Sequence, residues 1–339
     1  MNTPAPSRIS AVRPLWAVEG GRVTISGTGF VAGDDWPEVR IGTIPARISA
    51  ASDHTLTVIV PEGLDGGRTP IRISSAPGET AYVDVGAPIA TGLHQVDNPA
   101  FDRDGNLYVT FSGSRGQQAP VSIYVVTPDG SREPFVTNVP NPTSLAMDAD
   151  GRLFVSSRFD GSVYRVGPDG TAQTFVEDLG VPCGIAFDAE NRLYVGDRSG
   201  SILRVARGAV SLFASIPSSV AAFHMAFGPD ECLFVSSPSL SSRDVLYRVT
   251  PTGVVEVFCE GFGRPQGLAF DADGSLYVAD AVAGDSAVYR VSLDDPSKQD
   301  RIVVGGALIG LAFDPRGGLA LASSETVYRI QCDLRPLPR

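Results

Sequence analysis

The residues of this chain whose types could do chemistry recur at one offset within a repeated unit. Six copies of an apolar–turn–apolar unit are anchored on Phe101, Met147, Phe187, Phe227, Phe270 and Phe313. Four residues before the anchors stand Asp97, Thr143, Cys183, Phe223, Gln266 and Ile309, and one position later come Asn98 and His224. Carboxylate and amide oxygens bind hard cations, and a histidine can act as a general base near neutral pH. We predict a ligand-binding set of Asp97, Asn98, Thr143, Cys183, Phe223, His224 and Gln266.

Three of the polar residues near this offset are candidates for catalysis: Asp97, His224 and His94. Copies one and four lie opposite each other in a ring of six, so both histidines are expected to reach a central channel. Each histidine could be a general base or a hydrogen-bonded residue that lines the channel. For Cys183, no neighbour in sequence would activate a nucleophile, and a small packing role is the other possibility.

The spacing of the repeat predicts the elements that position these residues. Successive anchors are 46, 40, 40, 43 and 43 residues apart. A period of this length with four strands in each unit is typical of a β-propeller. In copy two we predict strands at 144–147, 152–156, 162–166 and 171–176, separated by Asp-Gly turns. All first strands run beside the channel in the same direction, so residues at one offset converge at one mouth.

Six copies predict six blades, but the last copy lacks a fourth strand within its own sequence. Residues 82–90 are predicted to supply that strand and so to close the ring without an exposed edge. Arg158 and Arg198 follow the ends of two of the second strands, at Ser157 and Asp197, and Arg115 lies in a nearby long loop. We expect these arginines near the opposite face, where they could clamp an anion or form salt bridges with Asp160 and Asp197.

The first 81 residues follow a different pattern. Residues 1–7 are predicted to be a flexible leader, and residues 8–81 carry short alternating strands with glycine turns, as in a small β-sandwich. Gly20-Gly21, the stretch Ile25-x-Gly27-x-Gly29-Phe30 and Val58-x-Val60-Pro61 resemble the IPT/TIG family of immunoglobulin-like domains. That resemblance implies an interaction or spacer module. The expected architecture is therefore all-β: an Ig-like sandwich followed by a six-bladed propeller over residues 82–339.

The repeats, in turn, resemble the NHL and gluconolactonase-like propellers. The residues that carry this likeness are units such as Gly267-Leu268-Ala269-Phe270-Asp271 and third strands such as Tyr289-Arg290-Val291. The gluconolactonase-like resemblance implies a divalent metal, Ca²⁺ or Mg²⁺, at the channel mouth. Asp97 and Gln266 are the candidate ligands, whereas the other residues at the same offset depart from the family pattern: Thr143, Cys183, Phe223 and Ile309.

Composition narrows the class of partner. The chain has 339 residues and a formal net charge of −11, and it contains no basic cluster of the kind that binds nucleic acid. No apolar run is long enough for a membrane span. No signal peptide is recognisable, so we expect a cytoplasmic protein, or an extracellular or periplasmic one if a signal has been removed. The four cysteines are widely spaced and fit reduced thiols.

Two functions follow as hypotheses. One is a binding protein that uses a propeller face or the channel mouth for a small molecule, a carbohydrate-related ligand or a protein. The other is a lactonase-like hydrolase or a lyase with a divalent metal at that mouth. The incomplete set of metal ligands favours the first hypothesis, because hard cations need several oxygen ligands.

Overall fold

The protein is built from β-strands. A computed structural model describes residues 7–31, 36–93, 97–111, 119–221, 223–241, 243–282 and 284–338. Every regular element in these ranges is a strand. None of the described segments forms a helix that could span a bilayer.

The N-terminal part forms one continuous set of paired strands: β1 (Arg8–Arg13), β2 (Trp16–Ala17), β3 (Arg22–Thr28), β4 (Val39–Ile41), β5 (Ile44–Ala51), β6 (Thr55–Ile59), β7 (Gly67–Ile73) and β8 (Ala81–Val85). Their order is β1-β3-β6-β5-β4-β7-β8-β2. Alternate apolar side chains of these strands, such as Val23, Ile25, Leu56 and Val58, are fully buried in one cluster. This period-two burial is what a sheet with a single buried face requires.

Four of the repeats form separate antiparallel sheets in which consecutive strands pair. The first holds β10 (Ala100–Phe101), β11 (Leu107–Thr110), β12 (Ile123–Val126) and β13 (Arg132–Val136); the second β14 (Pro142–Met147), β15 (Leu153–Ser157), β16 (Ser162–Val166) and β17 (Ala172–Val176); the third β18 (Pro182–Phe187), β19 (Leu193–Asp197), β20 (Ser201–Ala206) and β21 (Ala209–Ser215); the fourth β22 (His224–Phe227), β23 (Leu233–Ser236), β24 (Asp244–Val249) and β25 (Val255–Phe262).

The last repeat is completed by a strand from the other end of the sequence. Its strands β30 (Gly310–Phe313), β31 (Leu319–Ala322) and β32 (Val327–Ile330) pair in order, and β9 (Ala87–Ala90) pairs antiparallel with β32. Residues 82–90 are predicted from the sequence to form one closing strand. In the structure the first part of that range, β8, pairs with β7 and β2 instead.

The fifth repeat does not form a separate sheet, which differs from the predicted six blades. Its strands are β26 (Pro265–Phe270), β27 (Leu276–Asp280), β28 (Ala287–Val291) and β29 (Gln299–Val304). β2 pairs in parallel with both β29 and β8, so these strands end a twelve-stranded sheet that includes the N-terminal part. Five separate four-stranded sheets therefore remain, because the N-terminal strand β2 occupies the outer edge of the fifth repeat.

The first strands of all six repeats surround a central channel, which gives a β-propeller arrangement. Each contacts the first strand of the next repeat, and β10 contacts both β14 and β30. Tight turns join the first and second strands. In the second repeat, for example, the Asp148 carboxylate accepts hydrogen bonds from the backbone N–H of Asp150 and Arg152, and Gly151 has a φ of 79°. These contacts are those of a turn capped by an aspartate.

Candidate functional site

The starts of the first strands and the ends of the second strands lie at the same end of the channel. Pro182 of β18 pairs with Asp197 of β19, and Pro265 of β26 pairs with Asp280 of β27. The expectation that the second-strand ends lie at the opposite face is therefore wrong, since antiparallel hairpins return each second strand to the level where its first strand began. We call this end, defined by Asp97, Thr143, Cys183, Phe223, Gln266 and Ile309, the Asp97 end.

Three predicted residues meet at this end. His224 Nδ1 lies 2.5 Å from Asp97 Oδ1, and His224 Nε2 lies 3.3 Å from Gln266 Oε1. Asp97 precedes β10, whereas His224 opens β22 and Gln266 lies on β26, so the contacts join three different repeats. The exposed fractions of the Asp97 and His224 side chains are only 1% and 0%. The channel thus holds a buried, inter-repeat cluster of polar groups.

The Asp97–His224 contact is short, but it does not count as a hydrogen bond, because His224 Nδ1 has no hydrogen-bond partner among the described residues. A carboxylate and a protonated imidazole at this separation would attract each other whatever the angle, since Coulombic attraction depends on distance and on the low dielectric of a buried site. Asp97 Oδ1 also accepts a hydrogen bond of 2.6 Å from the backbone N–H of Asn98. Asp97 Oδ2 is buried and has no hydrogen-bond partner among the described residues.

Serines at the ends of second strands hold the backbone of this cluster. Ser236 Oγ accepts a hydrogen bond of 3.3 Å from the His224 N–H and donates one of 2.6 Å to the Gln266 carbonyl. Ser156 makes the same two contacts between the second and third repeats, accepting from the Ser144 N–H and donating to the Cys183 carbonyl. Each serine links the first strand of its own repeat to that of the next, which sets the relative position of the functional side chains.

The Asn98 and Thr143 side chains form hydrogen bonds with neighbouring parts of the chain. The Asn98 side chain accepts a hydrogen bond from the Leu311 N–H at 3.0 Å and donates one to the Leu268 carbonyl at 3.4 Å. Its amide is therefore engaged with two neighbouring first strands. Thr143 Oγ1 donates to the Asn141 carbonyl at 3.3 Å. His94 lies outside the described residues.

Phe223 is fully buried and packs against Gly196, a position at which other repeats carry a residue with a side chain. A Cβ placed on Gly196 would lie 1.9 Å from Phe223 Cε2. Equivalent second-strand positions hold Ser156 and Ala279. The glycine in the third repeat thus makes room for the aromatic ring of the fourth, which fills the Asp97 end between them.

Cys183 has a neutral thiol. Burial raises its pKa to about 11, with a further upward contribution from the negative charge of Asp97 and downward ones from Arg158 and Arg198. Sγ donates a hydrogen bond of 3.4 Å to the Val181 carbonyl. A thiol with a raised pKa is a poor nucleophile. These contacts favour the packing role over the nucleophilic one.

The two arginines at this end are held by neutral acceptors. Arg158 Nε donates to Asn141 Oδ1 at 2.9 Å. Arg198 donates from Nη2 to the Val220 carbonyl at 3.2 Å and from Nε to the Ser219 carbonyl at 3.5 Å. The alternative of salt bridges with Asp160 and Asp197 is wrong for the described residues, because Asp160 accepts from Tyr164 and Asp197 from the Val181 N–H.

The described residues of the Asp97 end do not fit a Ca²⁺ or Mg²⁺ site. No group of three or more His, Cys, Asp or Glu side chains that could hold a metal occurs within the described ranges. Asp97 faces His224, and the Asn98 amide is engaged, which leaves Asp97 Oδ2 and Gln266 Oε1 as candidate oxygens. Six to eight oxygen ligands are usual for Ca²⁺. No reaction step through a metal is derived from this arrangement.

The opposite end of the channel has a different character. A cavity of about 380 Å³ opens there, with the C-terminal segment 336–338 at its rim. Its walls are mainly aliphatic side chains of the first strands, among them Leu145, Met225, Leu268 and Leu311. The buried cluster of polar side chains described above belongs to the Asp97 end, which is therefore the better candidate for selecting a ligand.

Comparison with known proteins supports the two parts of the fold. Residues 6–83 match the model of the IPT/TIG domain, and residues 181–205 match that of the strictosidine synthase-like N-terminal region. No curated protein matches the chain.

Several solved structures share the arrangement at low identity. A putative gluconolactonase is 17% identical, with a TM-score of 0.61 over 74% of this chain and 93% of that one. An auxiliary nutrient binding protein from Bacteroides ovatus is 13% identical, with a TM-score of 0.55 over 96% and 98%. Virginiamycin B lyase from Staphylococcus aureus is 13% identical, with a TM-score of 0.54 over 70% and 95%. At such identities the likeness establishes the fold alone.

Proposed function

We propose that this protein is a small-molecule-binding propeller that receives its ligand at the Asp97 end. The observation that carries the proposal is Asp97 Oδ2, a buried carboxylate oxygen without a hydrogen-bond partner among the described residues. Leaving such an acceptor unpaired costs free energy, and a ligand donor would remove that cost. Gln266, on the other side of the His224 ring from Asp97, offers a second polar group. Suitable ligands include carbohydrate-related molecules, which carry several hydroxyl donors; a protein segment is the other partner class.

The state of His224 supports binding over catalysis. Both ring nitrogens face protein groups, Asp97 on one side and Gln266 on the other. A general base needs a nitrogen that can reach a substrate proton. In this arrangement both nitrogens are buried against protein groups and neither is open to a substrate, so His224 orders the site instead of reacting. The auxiliary nutrient binding proteins with the same fold are named for binding.

The architecture proposed with this function has two units. Residues 8–81 form an Ig-like sandwich that acts as a spacer or interaction module, and residues 82–339 form a six-bladed propeller in which β26–β29 act as the blade fused to it. Pairing of β9 with β32 supports closure of the ring by a strand that precedes the first repeat. The match to the IPT/TIG domain supports the first unit.

A thermal-shift panel tests the binding function. Wild-type protein is screened against sugars, sugar acids, lactones and amino acids, with a rise in Tm as the readout of binding. Gln266→Leu should abolish the shift that a true ligand produces, because the buried amide is replaced by an alkyl group. Gln173→Leu, an exposed substitution on β17, is the matched control and should keep it. A shift equal in wild type and Gln266→Leu contradicts binding at this end, as does the absence of any shift across the panel.

A second candidate is a hydrolase or lyase, favoured by the orientation of His224 by Asp97. In related catalytic sites a carboxylate fixes the imidazole that removes a proton. Among the similar structures is a virginiamycin B lyase described as catalytically inactive after a histidine-to-alanine change. If this candidate is right, wild-type protein turns over a lactone or ester, and Asp97→Asn and His224→Gln abolish that turnover. A broad lactone and ester panel, with and without Mg²⁺ or Ca²⁺, that shows no turnover excludes it.

A further inference from the structure

Two guanidinium groups stand at the Asp97 end with donors left over. Arg158 uses Nε for Asn141, and Arg198 uses Nε and Nη2 for two backbone carbonyls. None of these acceptors is charged, and neither arginine forms an ion pair with a described residue. Each guanidinium carries five N–H donors, so both keep N–H groups that no described residue accepts. Neutral acceptors hold the planes in place while leaving the positive charges unneutralised.

The arginines occupy neighbouring repeats at the same level of the channel. Arg158 follows β15 in the second repeat, and Arg198 follows β19 in the third. Ser157 and Asp197, the residues before them, pair with the starts of β14 and β18. Both positive charges also act on the same thiol, that of Cys183 on β18 of the third repeat, which the negative charge of Asp97 affects as well.

Asp197, the residue before Arg198, uses both of its carboxylate oxygens for local donors. Asp197 Oδ1 accepts a hydrogen bond of 2.7 Å from the Val181 N–H, and Oδ2 accepts from the Ser199 backbone and hydroxyl. It therefore fixes the loop that begins the third repeat instead of neutralising Arg198. Its lone pairs are taken by local donors, as in an Asx turn.

Apolar side chains border the two arginines. Phe159, directly after Arg158, is 76% exposed, and Val181 and Val220 are each 37% exposed. The Val220 carbonyl is the acceptor that holds Arg198, and the Arg198 N–H donates to the Val181 carbonyl at 3.0 Å. Isolated exposed apolar residues are common on proteins. Here they are sequence neighbours or direct partners of the arginines, so one ligand could touch both kinds of group.

We propose that the ligand of this end is an anion with an apolar body, whose carboxylate, phosphate or sulfonate group is bound by Arg158 and Arg198. The guanidinium fork suits such oxygen groups because it offers parallel N–H donors. In a chain of net charge −11 this binding depends on the local pair and not on the field of the whole protein. The inference rests on the proposed binding function and names the class of ligand.

Two dyes with the same aromatic body test it. 1-Anilinonaphthalene-8-sulfonate carries the anionic group, and N-phenyl-1-naphthylamine lacks it; both report binding by fluorescence. In Arg158→Gln and in Arg198→Gln, the Kd for the sulfonate should rise about tenfold, the loss expected for one charge-assisted contact. The Kd for the neutral dye should stay within about fourfold, because the neutral dye loses apolar contact on the scale of one methylene group at most.

The controls separate charge at this site from charge in general. Arg165→Gln removes the same charge from β16, where the Arg165 side chain donates a hydrogen bond to Gln173 at 3.4 Å, and should leave both Kd values unchanged. Benzoate and phenyl phosphate should displace the sulfonate dye, whereas benzyl alcohol should not. Circular dichroism verifies the fold of each variant. If one glutamine variant fails to fold, Arg158→Lys, which keeps the charge but loses the fork, should still weaken sulfonate binding.

The outcomes distinguish this inference from the proposed function. Equal sulfonate Kd values in wild type and in both glutamine variants overturn the anion site, as does displacement by benzyl alcohol as effective as by benzoate. Failure of the sulfonate dye to bind wild type overturns it as well. In each case the thermal-shift panel with Gln266→Leu judges the binding function separately, because that variant leaves both arginines in place.

Discussion

Replacing one member of the Asp97–His224 pair should destabilise the protein more than replacing both. Their atoms are 2.5 Å apart, with side-chain exposures of 1% and 0%. At an effective dielectric constant of about 20, a carboxylate and a protonated imidazole at that separation would attract each other by roughly 7 kcal/mol. Desolvation of the two ions costs several kcal/mol each, so the intact pair contributes little net free energy. Removing one charge keeps the desolvation cost of the other and removes the attraction.

We therefore expect Asp97→Asn and His224→Gln, measured singly, each to lower the free energy of unfolding by about 3–5 kcal/mol. The double variant should lose much less than the sum of the two. The assay is urea unfolding followed by far-UV circular dichroism, combined as a double-mutant cycle. Gln173→Leu, on the exposed face of β17, is the control for a substitution outside the channel and should change the free energy by less than about 0.5 kcal/mol.

The cycle has a clear refuting result. If the two single effects add to within about 0.5 kcal/mol of the double variant, the residues do not interact energetically. Asp97 and His224 would then not stabilise each other, and His224 would not be a residue that orders the site. If the two residues are strongly coupled but the variants keep the ligand-induced rise in Tm, the pair has a structural role only.

Two further outcomes follow from the packing of the Asp97 end. Gly196→Ala should destabilise the protein by about 1–3 kcal/mol, because its Cβ would meet the Phe223 ring at 1.9 Å. Gly78→Ala, whose Cβ would meet nothing within 4 Å, is the control and should be nearly neutral in the same unfolding assay. Equal losses of free energy in the two variants would contradict the packing argument. Burial raises the pKa of the Cys183 thiol from 9.0 to about 11, so its thiolate fraction at pH 8 is about 100-fold below that of the unfolded chain. Alkylation by iodoacetamide, followed by mass spectrometry, should be slower by at least that factor in native protein than in urea and should accelerate as pH rises toward 11; equal rates would refute the raised pKa.

Much of the propeller could be predicted from the repeat because local chemistry determines it. Asp-x-Asp-Gly turns and alternating apolar residues specify hairpins without reference to the rest of the chain. In the second repeat the predicted strand at 162–166 has the observed bounds of β16, and the others agree to within two residues. The convergence of Asp97, His224 and Gln266 also followed from the shared offset, since a ring of equivalent strands brings equivalent positions together.

What the sequence did not show depends on contacts between distant segments. The fusion of β29 to the N-terminal strands needs β2, a two-residue strand too short to carry a periodic signal. The arginines were placed at the wrong face, although strand direction alone would have corrected this. The sequence marks the serine links by the pairs Ser156-Ser157 and Ser236-Ser237 at the ends of β15 and β23, but their partners lie on the next repeat.

The position of β2 between β8 and β29 has a consequence for how this chain can be divided. The two residues Trp16 and Ala17 hydrogen-bond to strands on both sides, and Tyr328 of the last repeat also bonds to the nearby Glu19. The N-terminal strands are thus not an independent domain that could be exchanged or removed at a linker. Their removal would expose the outer edge of the fifth repeat, which β2 covers. We therefore expect the N-terminal strands and the repeats to be inherited, expressed and unfolded together.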